Sequence, residues 1–265
     1  MPKGATDCHV HVFGPEADYP LSPSRSYTPA PAAVSELRGQ LQAAGISRVV
    51  LVQPGVYGHD NSCQLDAAGA IGMTARVVAD LTGNEPRDEA KLICANRLIT
   101  QSGALPGTSQ VVALSQRLAD RGAHLQVLAR SDQLQGVLEW LPHLACDLVI
   151  DHLGLPDTSV GGGARHADML GRLLQSGRVW VKVSGIFRRS QDLQGFHDLS
   201  PLVEELRDSA LPRLIWGSDW PYADFHRAKP DYLHLLTVLG DWFPEAAQRQ
   251  ALLSDNPARL FNFAA

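Results

Sequence analysis

Short apolar segments rich in β-branched residues recur along the chain, and stretches with helical spacing separate them. Near-continuous apolar strands that alternate with helices predict a parallel sheet covered by helices on both faces, an α/β fold. Seven such strands are clear, at residues 7–13, 48–53, 75–81, 124–129, 147–152, 179–184 and 213–219. Helices are predicted at residues 32–44, 109–121, 134–144, 167–175 and 202–208, with another that ends at residue 70.

An eighth strand is expected between residues 90 and 100, although that segment is a poor strand and fits a helix equally well. With this irregular fourth strand included, the count fits a single (β/α)8 TIM barrel domain over residues 1–265. A doubly wound open sheet is the alternative, but no glycine fingerprint follows the first strand. In a barrel, the active site lies at the carboxyl ends of the strands.

Composition limits the classes of partner. The chain has a net charge of −5 and no basic cluster, so we expect neither a nucleic-acid partner nor an anionic membrane partner. No apolar run approaches the ~20 residues of a membrane helix, and the N-terminus leads into the first strand without room for a signal peptide. The four cysteines have neither metal-type spacing nor the density of a secreted disulfide scaffold. We therefore expect a cytoplasmic protein with reduced thiols, either a monomer or a homodimer.

Titratable side chains lie at the predicted carboxyl ends of three strands. His9 and His11 project to the same side of the first strand, because side chains alternate faces along a strand. His152 ends the sixth strand and Asp219 ends the eighth. In a barrel these four side chains face one mouth. Two imidazoles on one rigid element suit metal binding, stabilisation of a developing oxyanion, or both, although taken alone they could be ordinary core or surface histidines.

Five segments carry a resemblance to a known family. They are residues 6–15 (TDCHVHVFGP), 27–29 (YTP), 151–154 (DHLG), 216–221 (WGSDWP) and 255–261 (DNPARLF). The chain resembles the amidohydrolase-2 branch of the amidohydrolase superfamily, and within it the 2-pyrone-4,6-dicarboxylate lactonase family. The resemblance runs from end to end and implies a (β/α)8 barrel that hydrolyses a lactone. It implies that Asp219 is the general base and that His9, His11 and His152 polarise the carbonyl group.

These implied roles agree with elementary chemistry. Ester hydrolysis needs a base that deprotonates water and donors aimed at the oxygen that becomes negative. Asp219 ends a buried strand, where desolvation raises the pKa of a carboxylate. We therefore expect an ionised base that is more proton-avid than in water, provided that nearby imidazoles do not reverse the shift.

Further residues are expected to bind the substrate. Tyr27, in the Tyr-Thr-Pro segment, is a predicted hydrogen-bonding partner, and Arg188 keeps the place of a substrate-binding arginine of the family or is a solvated loop cation. Tyr57 and Asn61 follow the second strand and are expected at the same mouth. Gln53 ends that strand and either contacts the ligand or only satisfies backbone groups.

The chain departs from the family in its arginines. Other arginines of the family have no counterpart here, although Arg97 and Arg130 could substitute for them. Because an unpaired buried carboxylate is costly, fewer arginines favour a substrate with one carboxylate or none.

The metal content is left open by the sequence. Binuclear amidohydrolases place a lysine at the end of strand four and a histidine at the end of strand five, and this chain does not, since Lys91 comes early in its segment. A single zinc ion on His9, His11, His152 and Asp219 is chemically reasonable. The lactonase family that the chain resembles works without metal, so we expect no required cofactor, with one zinc ion as the alternative.

The leading hypothesis is a metal-independent hydrolase that opens a small carboxylated lactone from aromatic- or sugar-acid catabolism. The first alternative is a zinc-dependent decarboxylase or lactonase of the same superfamily. The second is a non-catalytic barrel that binds a small molecule.

Overall fold

The computed structural model describes residues 1–83, 91–158 and 162–263. Eight parallel strands form one sheet in the order of the sequence, from β1 to β8. They are β1 Thr6–Val10, β2 Arg48–Val52, β3 Thr74–Ala79, β4 Ile93–Ile99, β5 His124–Leu128, β6 Leu148–Ile150, β7 Val179–Val183 and β8 Leu214–Trp216. The predicted barrel is confirmed.

The first strand meets the segment that follows the last one. The backbone N–H of Asp219 donates to the carbonyl oxygen of His9 at 2.8 Å, and that of His11 donates to Trp220 at 2.8 Å. These two hydrogen bonds tie the ends of β1 and β8 together and bring distant segments of the sequence to one rim.

Helices lie between and after the strands. They are α1 Val34–Ala43, α2 Ser62–Ala70, α3 Thr108–Ala119, α4 Leu134–Trp140, α5 Gly162–Leu174, α6 Ser200–Ala210, α7 Tyr232–Trp242, α8 Ala246–Gln250 and α9 Asn256–Leu260. The predicted helices are present with shifted ends, and α7 to α9 lie beyond the last predicted one. Within the described ranges, no helix is long and apolar enough to cross a membrane.

The fourth strand is continuous over seven residues. It pairs with β5 in unbroken register, whereas its register with β3 shifts between Val77 and Val78. The ambiguous sequence of residues 90–100 therefore holds a strand whose departure from regularity lies in its pairing with β3.

Alternate residues of the strands form two apolar clusters. One packs outward against the helices, as Val181 and Val183 of β7 do. The other includes Trp180 of β7 together with Phe261 near the C-terminus. All four cysteines are buried and free. Because both faces of the strands are packed, the residues at their carboxyl ends are held in fixed positions.

Candidate active site

The four residues singled out at the strand ends come together. Nε2 of His9 lies 3.2 Å from Nε2 of His11. Oδ1 of Asp219 lies 3.7 Å from Nε2 of His9 and 3.5 Å from Nε2 of His11. Nε2 of His152 lies 4.0 Å from Oδ2 of Asp219. All four side chains are buried, and they surround one point at the carboxyl end of the barrel.

Two of these residues have left-handed backbone conformations. His152 has a φ of 53° and Asp219 a φ of 63°, a region that histidine and aspartate enter more readily than most residues and that is common at functional sites. His166 supports the first of these turns, because its Nε2 donates to the carbonyl oxygen of Leu153 at 2.6 Å. The local backbone thereby turns both side chains inward from the ends of β6 and β8.

A glycine makes room for the first strand. A Cβ atom at Gly217 would lie 2.5 Å from Cβ of His9, closer than real Cβ atoms approach. The Gly-Ser-Asp sequence after β8 therefore lets the segment of Asp219 pass directly over His9.

A cavity of about 70 Å³ opens over these residues. Its wall includes Tyr27 and Arg188, two of the predicted substrate-binding residues, together with His11, His152 and Asp219. The remaining lining residues are Ser26, Pro54, Gly55, Arg97, Ile99, Gln101, Leu128, Ala223 and Asp224. The cavity is thus small, and charged groups of both signs line it.

Three predicted binding residues lie away from this wall. Gln53 donates to the carbonyl oxygens of Gly58 and Asp60 at 3.1 and 2.7 Å. Asn61 exchanges hydrogen bonds with the backbone of Asp80, and Tyr57 is buried with its ring 6.2 Å from that of Phe13. Gln53 and Asn61 therefore hold the loop after β2 and Tyr57 packs against Phe13, and none of the three is among the residues that line the cavity. Their contact with substrate stays a prediction.

Arg188 binds Asp219 directly. Its Nε donates to Oδ2 of Asp219 at 2.6 Å, and its Nη2 donates to the carbonyl oxygen of Ala223 at 3.0 Å. Burial raises the pKa of Asp219, but Arg188, His152 and His11 together lower it further, so the net pKa lies well below its usual range. The condition attached to the expectation of a more proton-avid carboxylate is therefore not met, because Arg188 and the neighbouring imidazoles together reverse the effect of desolvation.

Two charged residues behind the cavity, Asp151 and Lys182, were not assigned to the site from the sequence. Asp151 accepts from Nε of Arg97 at 3.0 Å and lies 3.1 Å from Nζ of Lys182. Lys182 also contacts Nδ1 of His9 at 3.1 Å. One signal was available, since a lysine inside the apolar strand Val179–Val183 is almost never buried without a partner.

The two arginines that could replace missing family arginines differ in position. Arg97, on β4, reaches the cavity wall. Arg130 pairs with Asp132 at 2.9 Å and donates to the carbonyl oxygen of Gln101 at 2.7 Å, so it is held outside the cavity.

Distances alone would permit one metal ion, because His9, His152 and Asp219 offer ligand atoms within 4.8 Å of one another. The charges oppose it. Arg188 occupies Oδ2 of Asp219, Nη2 of Arg97 lies 3.4 Å from Nε2 of His9, and Lys182 contacts the other nitrogen of that ring. Three cations already face two buried carboxylates, so the residues in this arrangement do not fit a divalent cation.

Known proteins resemble this chain over nearly its full length. It is 32% identical to a 4-sulfomuconolactone hydrolase of Hydrogenophaga intermedia, over 98% of this chain and 89% of that protein. It is 28% identical to a 2-pyrone-4,6-dicarboxylate hydrolase of Comamonas testosteroni, over 98% and 91%.

The fold is shared with a solved amidohydrolase of Burkholderia multivorans that has bound zinc. The TM-score is 0.75 at 23% identity, with 98% of this chain and 99% of that one covered. The amidohydrolase family model matches residues 6–263, and the chain is therefore a member of the amidohydrolase family of hydrolytic enzymes.

Proposed function

We propose that this protein hydrolyses a small lactone that carries one carboxylate, with Asp219 as the general base. One observation carries the proposal: Oδ1 of Asp219 is buried without a hydrogen-bond partner among the described residues, and Asp219 lies on the cavity wall. An ionised carboxylate oxygen in that position suits the binding of a water molecule. The two named relatives are hydrolases, one of a sulfomuconolactone and one of a pyrone dicarboxylate.

The proposed reaction needs only this chain's own residues and water. Asp219 takes a proton from the water as the water oxygen attacks the carbonyl carbon. The tetrahedral intermediate then breaks the ring C–O bond, and the leaving oxygen receives the proton from Asp219. The product is the open hydroxy acid.

Donors for the developing oxyanion surround the same point. The guanidinium of Arg97 is always protonated and lines the cavity. Burial lowers the pKa of His152 to about 4, so its ring is neutral near pH 7 and offers one N–H group. Preorganised donors of this kind are worth ~3 kcal/mol each in acyl-transfer sites.

The wall charges favour one carboxylate on the substrate. Arg188 uses Nε and Nη2 for Asp219 and Ala223, which leaves the outer edge of its guanidinium for a ligand. Asp224 lies on the same wall, and Arg97 is already paired with Asp151. A second carboxylate would find no unpaired cation among the lining residues, and burying it would be costly.

The experiment is a substrate panel. Five- and six-membered lactones with no, one or two carboxylates are incubated with the purified protein, and ring opening is followed by acid release. We expect the highest kcat/KM for monocarboxylated lactones, by at least about tenfold, or ~1.4 kcal/mol. A preference for dicarboxylated lactones, or the absence of any turnover, would contradict the proposal.

The same panel separates the alternatives. Activity that appears only after zinc is added would favour a zinc-dependent lactonase or decarboxylase. A rise in Tm with a lactone that is never hydrolysed would favour a binding barrel.

A further inference from the structure

We propose that Lys182 is a positioning residue that fixes the ring proton of His9 on Nε2, so that His9 presents an N–H donor to the reaction centre. The catalytic part of this inference rests on the proposed function, whereas the position of the proton does not.

Lys182 is completely buried inside the barrel. Its Nζ lies 3.1 Å from Oδ1 of Asp151 and 3.1 Å from Nδ1 of His9. Burial lowers the pKa of Lys182, whereas the adjacent Asp151 carboxylate opposes this shift. The ion pair with Asp151 points to the ammonium form, which has three donors and no acceptor. The contact with Asp151 is an ion pair, and one of the ammonium hydrogens is donated to His9.

The hydrogen bond to His9 therefore has only one direction. Because the ammonium group of Lys182 can only donate, Nδ1 of His9 must accept with its lone pair. A neutral imidazole carries a single ring proton, and it then lies on Nε2. Burial and the charge of Lys182 lower the pKa of His9 well below its usual range, and the neutral ring is the form present near pH 7.

The neighbouring histidine has the opposite arrangement. Nδ1 of His11 lies 2.6 Å from the carbonyl oxygen of Val52, which can only accept, so His11 carries its proton on Nδ1. Its Nε2 then has a free lone pair and faces Nε2 of His9 at 3.2 Å. The chain of donors runs from Lys182 through His9 to His11. Nη2 of Arg97 also faces Nε2 of His9, but at 3.4 Å, so the tautomer that we propose satisfies the shorter contact with Lys182 and leaves the longer one with Arg97 without an acceptor.

Asp151 would favour the other tautomer of His9. Its Oδ1 lies 3.5 Å from Nδ1 of His9 and could accept a proton there if Lys182 were absent. Lys182 prevents this by supplying a hydrogen to the same nitrogen. The lysine thus decides which nitrogen of His9 faces Asp219, from which Nε2 is 3.7 Å away. An N–H at that position donates to Nε2 of His11 and faces the Asp219 carboxylate, whereas a lone pair would repel both groups and displace the proposed base.

The test is the ¹⁵N NMR spectrum of the histidine side chains in chelator-treated protein without substrate, where one- and two-bond couplings identify the neutral tautomer. Signals are assigned by their loss in His9→Gln and His11→Gln variants. The inference predicts an Nε2–H tautomer for His9 and an Nδ1–H tautomer for His11. An Nδ1–H tautomer for His9 in the wild-type protein would overturn it, whatever the outcome of the substrate panel.

Lys182→Met provides the second measurement. The methionine keeps the volume but removes the donor, so His9 should switch to the Nδ1–H tautomer, with Asp151 as its acceptor. With a lactone that the wild-type enzyme turns over, kcat should fall by about 10²-fold while KM changes less than about threefold, the pattern of a displaced catalytic group. A folded variant with the wild-type tautomer or the wild-type kcat would contradict the inference. If the variant does not fold, the wild-type spectrum alone decides.

Gln126→Leu is the matched control. Gln126 donates to Oδ2 of Asp151 at 3.1 Å and makes no hydrogen bond to His9. Its loss perturbs the same buried carboxylate without removing the Lys182 donor. We expect an unchanged His9 tautomer and kcat within about twofold of wild type. A tautomer change in this variant as well would assign the proton position to the general packing of Asp151 and not to Lys182.

Discussion

Nε of Arg188 lies 2.6 Å from Oδ2 of Asp219, so the proposed substrate-binding cation and the proposed general base form one ion pair. The side chain of Arg188 is 21% exposed, whereas that of Asp219 is fully buried. The guanidinium therefore connects the cavity to the base. It orients the carboxylate, keeps it ionised at neutral pH and leaves its outer edge for the substrate.

Replacement of Arg188 should separate binding from catalysis. In Arg188→Met, KM for a monocarboxylated lactone should rise at least about tenfold, or ~1.4 kcal/mol, while KM for an uncharged lactone stays unchanged. The value of kcat should fall for both substrates, because Asp219 loses the group that orients it. Steady-state kinetics on the two lactones measures this difference.

Arg189→Met is the control for that variant. Arg189 is adjacent in sequence, but its Nε donates to the carbonyl oxygen of Pro156 at 3.0 Å, away from Asp219. Its replacement should leave both KM values within about twofold. Equal losses in the two variants would show that a general basic charge at the rim, and not Arg188 itself, binds the substrate.

Because Gly217 lies against His9, a larger residue at position 217 should reduce both stability and activity. In Gly217→Ala the new methyl group would overlap Cβ of His9, so the free energy of unfolding should fall by about 1–3 kcal/mol. Because a displacement of about 1 Å in a catalytic group can cost 10²-fold in rate, kcat should also fall. Urea denaturation and kinetics measure the two effects.

Gly171→Ala is the contrasting substitution. Gly171 lies inside α5, and a Cβ there has no neighbour within 4 Å. Alanine favours the helix, so stability should rise by about 0.5–1 kcal/mol with no change in kcat. If Gly217→Ala behaved in the same way, the close approach of the two segments would be refuted.

Because its buried histidines are neutral, the protein should lose free energy of unfolding as the pH falls. Burial lowers the pKa of His124 to about 3, from 6.5 in the unfolded chain. The folded state then binds fewer protons than the unfolded state below pH 6.5, so stability is lost as the pH falls. Between pH 7 and pH 5 this one residue should cost about 2 kcal/mol.

His124→Leu should remove that share of the acid sensitivity. Its free energy of unfolding should decrease less between pH 7 and pH 5 than that of the wild type, by about 2 kcal/mol. The rest of the decrease in the free energy of unfolding comes from other buried histidines whose pKa values are lowered, namely His9, His11, His152 and His166. Burial raises the pKa of Asp7 to about 6, and its contribution has the opposite sign. If chemical denaturation gave the same change in the free energy of unfolding between pH 7 and pH 5 for both proteins, His124 would not be neutral and buried in the folded state.

The fold could be predicted because its strands are apolar on both faces and its helices fill the intervals. The fourth strand was ambiguous, since residues 90–100 contain Asn96 and Arg97, two polar residues that are rare in a buried strand. In the structure both have partners distant in the sequence: Oδ1 of Asn96 accepts from the backbone N–H of Leu81, and Arg97 pairs with Asp151. Sequence periodicity cannot show such partners.

The positions of the site residues could be predicted from the ends of the strands. Their interactions with side chains from other loops could not. Alternation placed His9 and His11 on one side, and the barrel placed His152 and Asp219 beside them. The direction of the Asp219 pKa shift could not be predicted, because it depends on the position of Arg188, in the turn after β7, and of the neighbouring histidines. Gln53, Tyr57 and Asn61 were expected at the mouth because they follow β2, but of that loop the cavity is lined by Pro54 and Gly55, a detail that strand order cannot give.

The most direct test of the account is turnover of a monocarboxylated lactone by chelator-treated protein, with its zinc content measured on the same sample and with Asp219→Asn in parallel. The account predicts full activity without bound metal and a loss of at least about 10³-fold in the variant, the scale expected for a missing general base, with an unchanged circular dichroism spectrum. Activity that depends on added zinc, or an active Asp219→Asn protein, would contradict it.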